Sequence, residues 1–289
     1  MTVRLAMTFK EIDLDQTEAV FTDPDIAIEQ KVDGTRALCV IETRGDVTSI
    51  RFLARSGAVL KHSAATQHLD RIKWALLDGL PLADGEIVLD GEVMIDTGEY
   101  VLFDLPYFKG DGSEYVVPEM PYRERRAALA TLAANLDRPI RLGESARTTE
   151  AKVALFEAVR DSGGEGVMAK SLRAPYEPGK RVKHSVKIKF VKTADVVVTD
   201  SSRGRNDAGR ETGAFAFGAY DESGAFVALG SCSAIGKAEV QIGDVIEVAY
   251  LYRPESGGLV QPRMLKVRDD REPESCTLEQ FPTYSKAVL

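Results

Sequence analysis

The chain has 289 residues, 44% of them hydrophobic, which is enough for two domains of ordinary size with real cores. A formal charge of −8 argues against a protein that coats nucleic acid over its whole surface, though a local basic groove is still allowed. No apolar run approaches the roughly 20 residues of a membrane helix, Met1-Thr2-Val3-Arg4 lacks a signal-peptide core, and Cys39, Cys232 and Cys276 are too scattered for a disulfide framework or a zinc site. A cytoplasmic protein with no membrane partner and reduced thiols is expected.

Residues 1–28 are expected to form a lead-in that packs against the first sheet. In Glu29 to Ile41, two short strands meet at Asp33-Gly34, a pair suited to the positive φ angles of a tight turn, so a hairpin is expected. Lys31, Asp33 and Arg36 bring an amine, a carboxylate and a guanidinium to that turn. A lysine at a semi-buried strand end, crowded by other cations, is the kind that can serve as a nucleophile. A surface hairpin with an incidental lysine is the alternative. Val47 to Leu53 alternates as a strand and runs into Ala54-Arg55-Ser56-Gly57, a turn that exposes Arg55. From Ala64 to Leu77 the residues Leu69, Ile72, Leu76 and Leu77 fall at helical spacing, with Trp74 expected in the packing and Asp78-Gly79 as the stop.

Glu92 interrupts the apolar run Ile87 to Ile95, and burying a carboxylate there is costly unless a cation or a metal meets it. Tyr100 to Leu105 repeats the pattern with Phe103 and Asp104, and the two stretches together suggest a pocket lined by a carboxylate and an aromatic face. Tyr122 to Leu136 and Thr149 to Asp161 have helical composition, the second stopped by Gly163-Gly164; both are expected to be scaffolding. Between Lys170 and Lys192 the chain carries eight lysines and arginines against one acid, Glu177. Lys187 and Lys189 share one strand face, and two like charges side by side suggest a bound anion. A solvated edge strand guarded by lysines is the alternative.

Beyond Ala194 the texture changes to short strands and glycine-rich turns, as expected of a small β-barrel beginning near residue 192. Arg203 and Arg205 in a polar loop, and the cluster Arg263 to Arg271, give this part local basic patches. Residues past Glu274 are expected to form a loosely held tail.

In order, Lys-x-Asp-Gly-x-Arg at 31–36, Arg-Ser-Gly at 55–57, Asp-Gly-Glu at 90–92, Phe-Asp at 103–104, Glu-Gly-Val-Met-x-Lys at 165–170 and Lys-x-Lys at 187–189 resemble the motifs of covalent nucleotidyltransferases. The set most closely resembles the ATP-dependent DNA ligases in their minimal two-domain form, over Glu29 to Arg271. The resemblance implies an α+β fold: an adenylation (nucleotidyltransferase) domain with antiparallel sheets and flanking helices over 1–192, then a small OB-fold β-barrel over 193–289. By the same resemblance Lys31 is the nucleophile that becomes lysyl-AMP, and Lys187 and Lys189 neutralise the α-phosphate. Glu29 lies beside the adenine, Phe103 stacks on it, and Arg36 and Glu92 approach the ribose. Glu165, with Glu92, holds a divalent metal, Mg2+ or Mn2+. Arg268 is the expected pyrophosphate contact, with Lys266 and Arg271 as its rivals, because Asp270-Arg271 stands where the family usually has Asp-Lys. Arg55, Arg203 and Arg205 are the expected DNA contacts.

The implied substrates are ATP and nicked duplex DNA, handled by a monomer. With no additional amino-terminal DNA-binding domain and no long insertion in the barrel, DNA binding is expected to be modest, salt-dependent or assisted by a clamp or other DNA-binding partner. RNA ligases and mRNA-capping guanylyltransferases share the lysine chemistry and are the closest rivals. A non-catalytic nucleic-acid-binding protein is the rival of another class.

Overall fold

The structure is a computed structural model that describes residues 3–14, 17–61, 64–81, 83–205, 209–255 and 257–284. The chain divides into two compact units, Met1–Lys189 and Phe190–Leu289.

In chain order the first unit comprises β1 (Thr8–Ile12), α1 (Glu18–Thr22), β2 (Ile26–Gln30), β3 (Thr35–Arg44), β4 (Val47–Leu53), α2 (Leu69–Gly79), β5 (Gly85–Val93), β6 (Tyr100–Gly110), β7 (Ser113–Val116), α3 (Tyr122–Ala133), β8 (Ile140–Leu142), β9 (Ser145–Ala146), α4 (Thr149–Asp161), β10 (Gly166–Ser171) and β11 (Arg181–Lys189). They build two sheets. One has the order β1-β11-β10-β2-β9; the other has the order β4-β3-β5-β6-β7, with β8 beside β6. Pairing is antiparallel except for β1 on β11 and β8 on β6. β3 is apolar on both faces because both are covered. Ala37, Cys39 and Ile41 meet Ile72 and Leu76 of α2 and Leu129 of α3, while Leu38 and Val40 meet Val3, Ala6, Met7 and Tyr176.

Two expectations fail here for clear reasons. The Lys31 segment is not a hairpin, because β2 and β3 belong to different sheets and residues 31–34 cross between them. Gly34 is needed there for close approach rather than for a positive φ, since a Cβ would meet the Val93 carbonyl oxygen at 2.5 Å. Trp74 is not packed in the core but is 68% exposed. At 3.6 residues per turn it sits about 200° around α2 from Ile72, on the face opposite the buried stripe.

The second unit comprises β12 (Lys192–Arg205), β13 (Glu211–Tyr220), β14 (Phe226–Ser233), β15 (Val245–Tyr250), β16 (Arg253–Pro254), β17 (Arg263–Val267) and β18 (Thr283–Tyr284). Five of these form an antiparallel sheet in the order β14-β13-β12-β15-β17. Among the described residues no ladder joins β14 to β17 to close a barrel. The stretch before β17 lies against β14 instead, with the Leu259 amide donating to the Leu229 carbonyl at 2.7 Å.

Of the segment past Glu274, the described residues 275–284 are not loosely held. Cys276 and Phe281 are buried, the Phe281 ring centroid lies 5.5 Å from that of Tyr250, and Gln280 Oε1 accepts from the Asp195 amide at 3.1 Å. Only a few apolar residues mark this stretch, spaced to suit no regular element, so it reads as a tail while anchoring the core. Phe281→Ala is therefore expected to cost about 3–5 kcal/mol in urea unfolding, a loss that a dangling tail would not show. No helix among the described residues is long and apolar enough to cross a membrane.

Candidate active site

Strand register assembles the site. Met168 of β10 is paired with Glu29 on one side and with Lys187 on the other, and Gly166 is paired with Lys189. The Lys31 amide donates to the Gly166 carbonyl at 2.9 Å, which continues that second row. Because alternate strand residues share a face, Glu29, Lys31, Lys170, Lys187 and Lys189 project from the same side of the sheet. Gly166 adopts φ 153, and a Cβ there would meet the Ile188 carbonyl oxygen at 2.1 Å, so only glycine permits the turn that delivers Glu165.

Glu165 is buried and bridges two cations. Its Oε2 accepts from Lys31 Nζ, and its Oε1 lies 3.1 Å from Lys189 Nζ. Lys187 Nζ is 3.0 Å from Glu11 Oε2, directly across the β1/β11 ladder. Each lysine of the like-charged pair therefore has its own carboxylate from within the chain.

Arg36 on β3 is clamped by Asp90 on β5, with Nε to Oδ1 at 3.0 Å and Nη2 to Oδ2 at 2.5 Å. Burial works against the charged guanidinium, but the Asp90 carboxylate outweighs it and holds Arg36 above its usual value. Its Cζ is 5.2 Å from the Phe103 ring centroid, and Lys170 Nζ is 4.8 Å from that same ring, so two cations flank Phe103. Lys170 Nζ also reaches Glu29 Oε2 at 2.7 Å.

Burial pushes the Glu92 carboxyl from its usual 4.5 up to about 7, although Lys31 and Arg36 pull it down. The folded protein then binds more protons than the unfolded chain between those values, so Glu92 makes stability fall as pH rises through 4.5 to 7. Glu92→Gln is expected to be more stable than wild type at pH 8, by at most about 3 kcal/mol, and no more stable at pH 4, in thermal melts against pH.

Of the other expected contacts, Arg55 is exposed on the turn after β4. The side chains of Arg203 and Arg205 lie outside the described residues. In the second unit Arg268 is held by Asp195 at 3.0 Å and by Asp270 at 2.8 Å; Arg271 lies 3.4 Å from Asp195, and Lys266 lies 3.5 Å from Glu247.

The structure adds residues that sequence reasoning passed over. Tyr122 OH donates to Glu29 Oε1, and Tyr176 OH donates to Asp90 Oδ2 at 2.7 Å. Arg125, also passed over, forms a buried pair at 2.9 Å with Asp104, the acid already singled out in its strand. α3 was expected to be scaffolding alone, yet it supplies both Tyr122 and Arg125. One signal for this was present: Tyr122, Arg125 and Leu129 follow at spacings of three and four, which places a guanidinium on the buried stripe.

Residues 96–189 match the model of the ATP dependent DNA ligase domain. A DNA ligase of Methanocorpusculum labreanum is 29% identical over 72% of this chain and 40% of its own length; one of Methanosphaerula palustris is 32% identical over 63% and 37%. The chain thus spans well under half the length of these curated relatives. Among solved structures, the ligase domain of LigD from M. tuberculosis superposes with a TM-score of 0.53 at 23% identity, covering 94% of this chain and 97% of that one. A Lig E DNA ligase gives 0.62 at 17% identity, covering 93% and 100%. These likenesses establish the fold, and residues 96–189 carry the match to the ATP dependent DNA ligase domain.

Proposed function

We propose that the protein is an ATP-dependent DNA ligase that seals 3′-hydroxyl/5′-phosphate nicks in duplex DNA, working as a cytoplasmic monomer. The observation that carries this reading is the arrangement of Lys31, Glu165 and Lys189: an amine at a strand end, a buried carboxylate in contact with it, and a second ammonium on that carboxylate's other oxygen.

Lys31 Nζ attacks the α-phosphorus of ATP; a P–N bond forms, the bond to the bridging oxygen breaks and pyrophosphate leaves. Glu165 Oε2, in contact with Nζ, is placed to take the proton. Lys189 and Lys187 stand on the same face to offset charge building on the phosphate oxygens. Such transfers depend chiefly on positioning and charge stabilisation, which this set of groups supplies. A 5′-phosphate oxygen of the nick then attacks the adenylyl phosphorus, the P–N bond breaks and Lys31 is regenerated. Finally the 3′-hydroxyl attacks the activated 5′-phosphate, the phosphodiester forms and AMP departs.

Glu29 is assigned to the adenine edge, Phe103 to its face, and Arg36 and Glu92 to the ribose. Magnesium suits Glu165 and Glu92, since a small hard cation takes one or two carboxylates together with phosphate oxygens and water, and there it would supply charge neutralisation. Arg268, with Lys266 and Arg271 as rivals, is assigned to the pyrophosphate; Arg55, Arg203 and Arg205 are assigned to DNA. DNA binding should weaken steeply with salt and be helped by a clamp or another DNA-binding partner.

The test is incubation with α-labelled ATP and magnesium, followed by a chase with nicked DNA. The protein should take up label and then yield a sealed strand. Labelling by GTP but not ATP would move the reading to capping chemistry, and no covalent label would overturn it.

A further inference from the structure

Arg125, 1% exposed, does more than balance Asp104. Its Nε and Nη2 reach the two Asp104 oxygens at 2.9 Å each, and Nη1 donates to the Met120 carbonyl at 2.5 Å and the Ala174 carbonyl at 3.1 Å. Its Cζ also lies 5.6 Å from the Tyr122 ring centroid and 5.7 Å from that of Tyr176. These rings carry the network outward: Tyr122 OH to Glu29, and Tyr176 OH to Asp90, which clamps Arg36.

Tyr122 OH has one proton and two acceptors in reach, Glu29 Oε1 and the Phe103 carbonyl at 3.3 Å, of which the carboxylate is the nearer. Tyr176 OH already accepts from the Met7 amide at 3.1 Å, so its own proton goes to Asp90. Burial holds both phenols protonated, and Glu29 and Asp90 reinforce this.

We propose that Tyr122 and Tyr176 are positioning residues for nucleotide binding, set in common by Arg125: one hydroxyl orients Glu29, and the other orients Arg36 through Asp90. The inference rests on the reading in which Glu29 and Arg36 meet the nucleotide. It makes one buried cation the reference point for both groups, and it gives α3 a part in binding without contact with the ligand. Both hydroxyls can be removed while the rings stay packed.

The test measures ATP affinity by calorimetry on the full chain with divalent metal withheld, so that binding is read apart from adenylation. Tyr122→Phe and Tyr176→Phe should each weaken binding about tenfold, the size of a lost hydrogen bond to a charged group. Tyr122→Phe should have little further effect in a Glu29→Ala background, and Tyr176→Phe little in an Arg36→Met background, because each acts through its partner. A role in stability alone would not produce that pattern. Unchanged affinity in both single variants, or full additive losses in those backgrounds, would overturn the proposal. Tight ATP binding by a wild type that seals no nick would overturn the ligase reading and leave this one standing; no ATP binding at all would overturn both.

Discussion

Glu165→Gln is expected to lower the rate of covalent labelling by ATP by about 10²–10³-fold, the loss typical of removing a group that assists proton transfer and stabilises developing charge. Glutamine keeps the shape of the side chain but not its charge. Lys31 would lose the carboxylate oxygen that touches its ammonium, Lys189 would lose its partner at 3.1 Å, and one of the two carboxylates suited to magnesium would be gone. Both lysines retain some solvent contact, so the cost to stability should be small beside the cost to chemistry. Single-turnover labelling, with unfolding curves run in parallel, separates the two. A variant within tenfold of wild type would mean that Glu165 serves only to hold the strand end.

Arg125→Met should cost stability directly, with a loss of about 3–5 kcal/mol in urea unfolding, because removing one partner of a buried pair strands the other. Asp104, 2% exposed, would be left without its guanidinium. Burial alone would raise the Asp104 carboxyl, yet Arg125 outweighs it and holds it below the usual 3.8. A depressed carboxyl contributes stability above its unfolded value and loses it as pH falls through the folded value. The deficit of Arg125→Met should therefore be largest near neutral pH and shrink as pH falls from 3.8 through the lower folded value, below which Asp104 is protonated with or without its partner. Asp104→Asn combined with Arg125→Met should recover part of the loss. A deficit independent of pH would assign the effect to packing of the arginine stem instead.

Much of this was legible in the chain, and the failures have physical causes. α4 runs over Thr149–Asp161 as its composition suggests, with Thr148 capping it through the Ala151 amide at 3.2 Å. The pairing of Lys187 with Lys189 on one face followed from strand alternation alone. Tertiary partners were not legible. Asp33-Gly34 signals a turn equally well whether the next strand folds back or crosses to another sheet, and the choice is made by the separate sheet partners of β2 and β3. Trp74 is expected in the packing because it lies beside the apolar stripe of α2, although its angle around the helix places it outside. Glu92 and Asp104 look alike in sequence, each an acid in an apolar strand, yet Asp104 is neutralised by Arg125 of α3 while Glu92 is pushed up by burial to about 7. Tyr122 and Tyr176 were passed over, and Lys170 was given no role of its own, because each acts through residues remote in the chain.

The most direct test of the central claim is to incubate the protein with ATP and magnesium, digest it under conditions that preserve P–N bonds, and locate the added AMP by mass spectrometry. The account predicts one adenylylated peptide, modified on Lys31, that disappears when nicked DNA is added and is absent from Lys31→Ala. Modification at Lys170, Lys187 or Lys189 with Lys31 unmodified, or no modification at all, would contradict it.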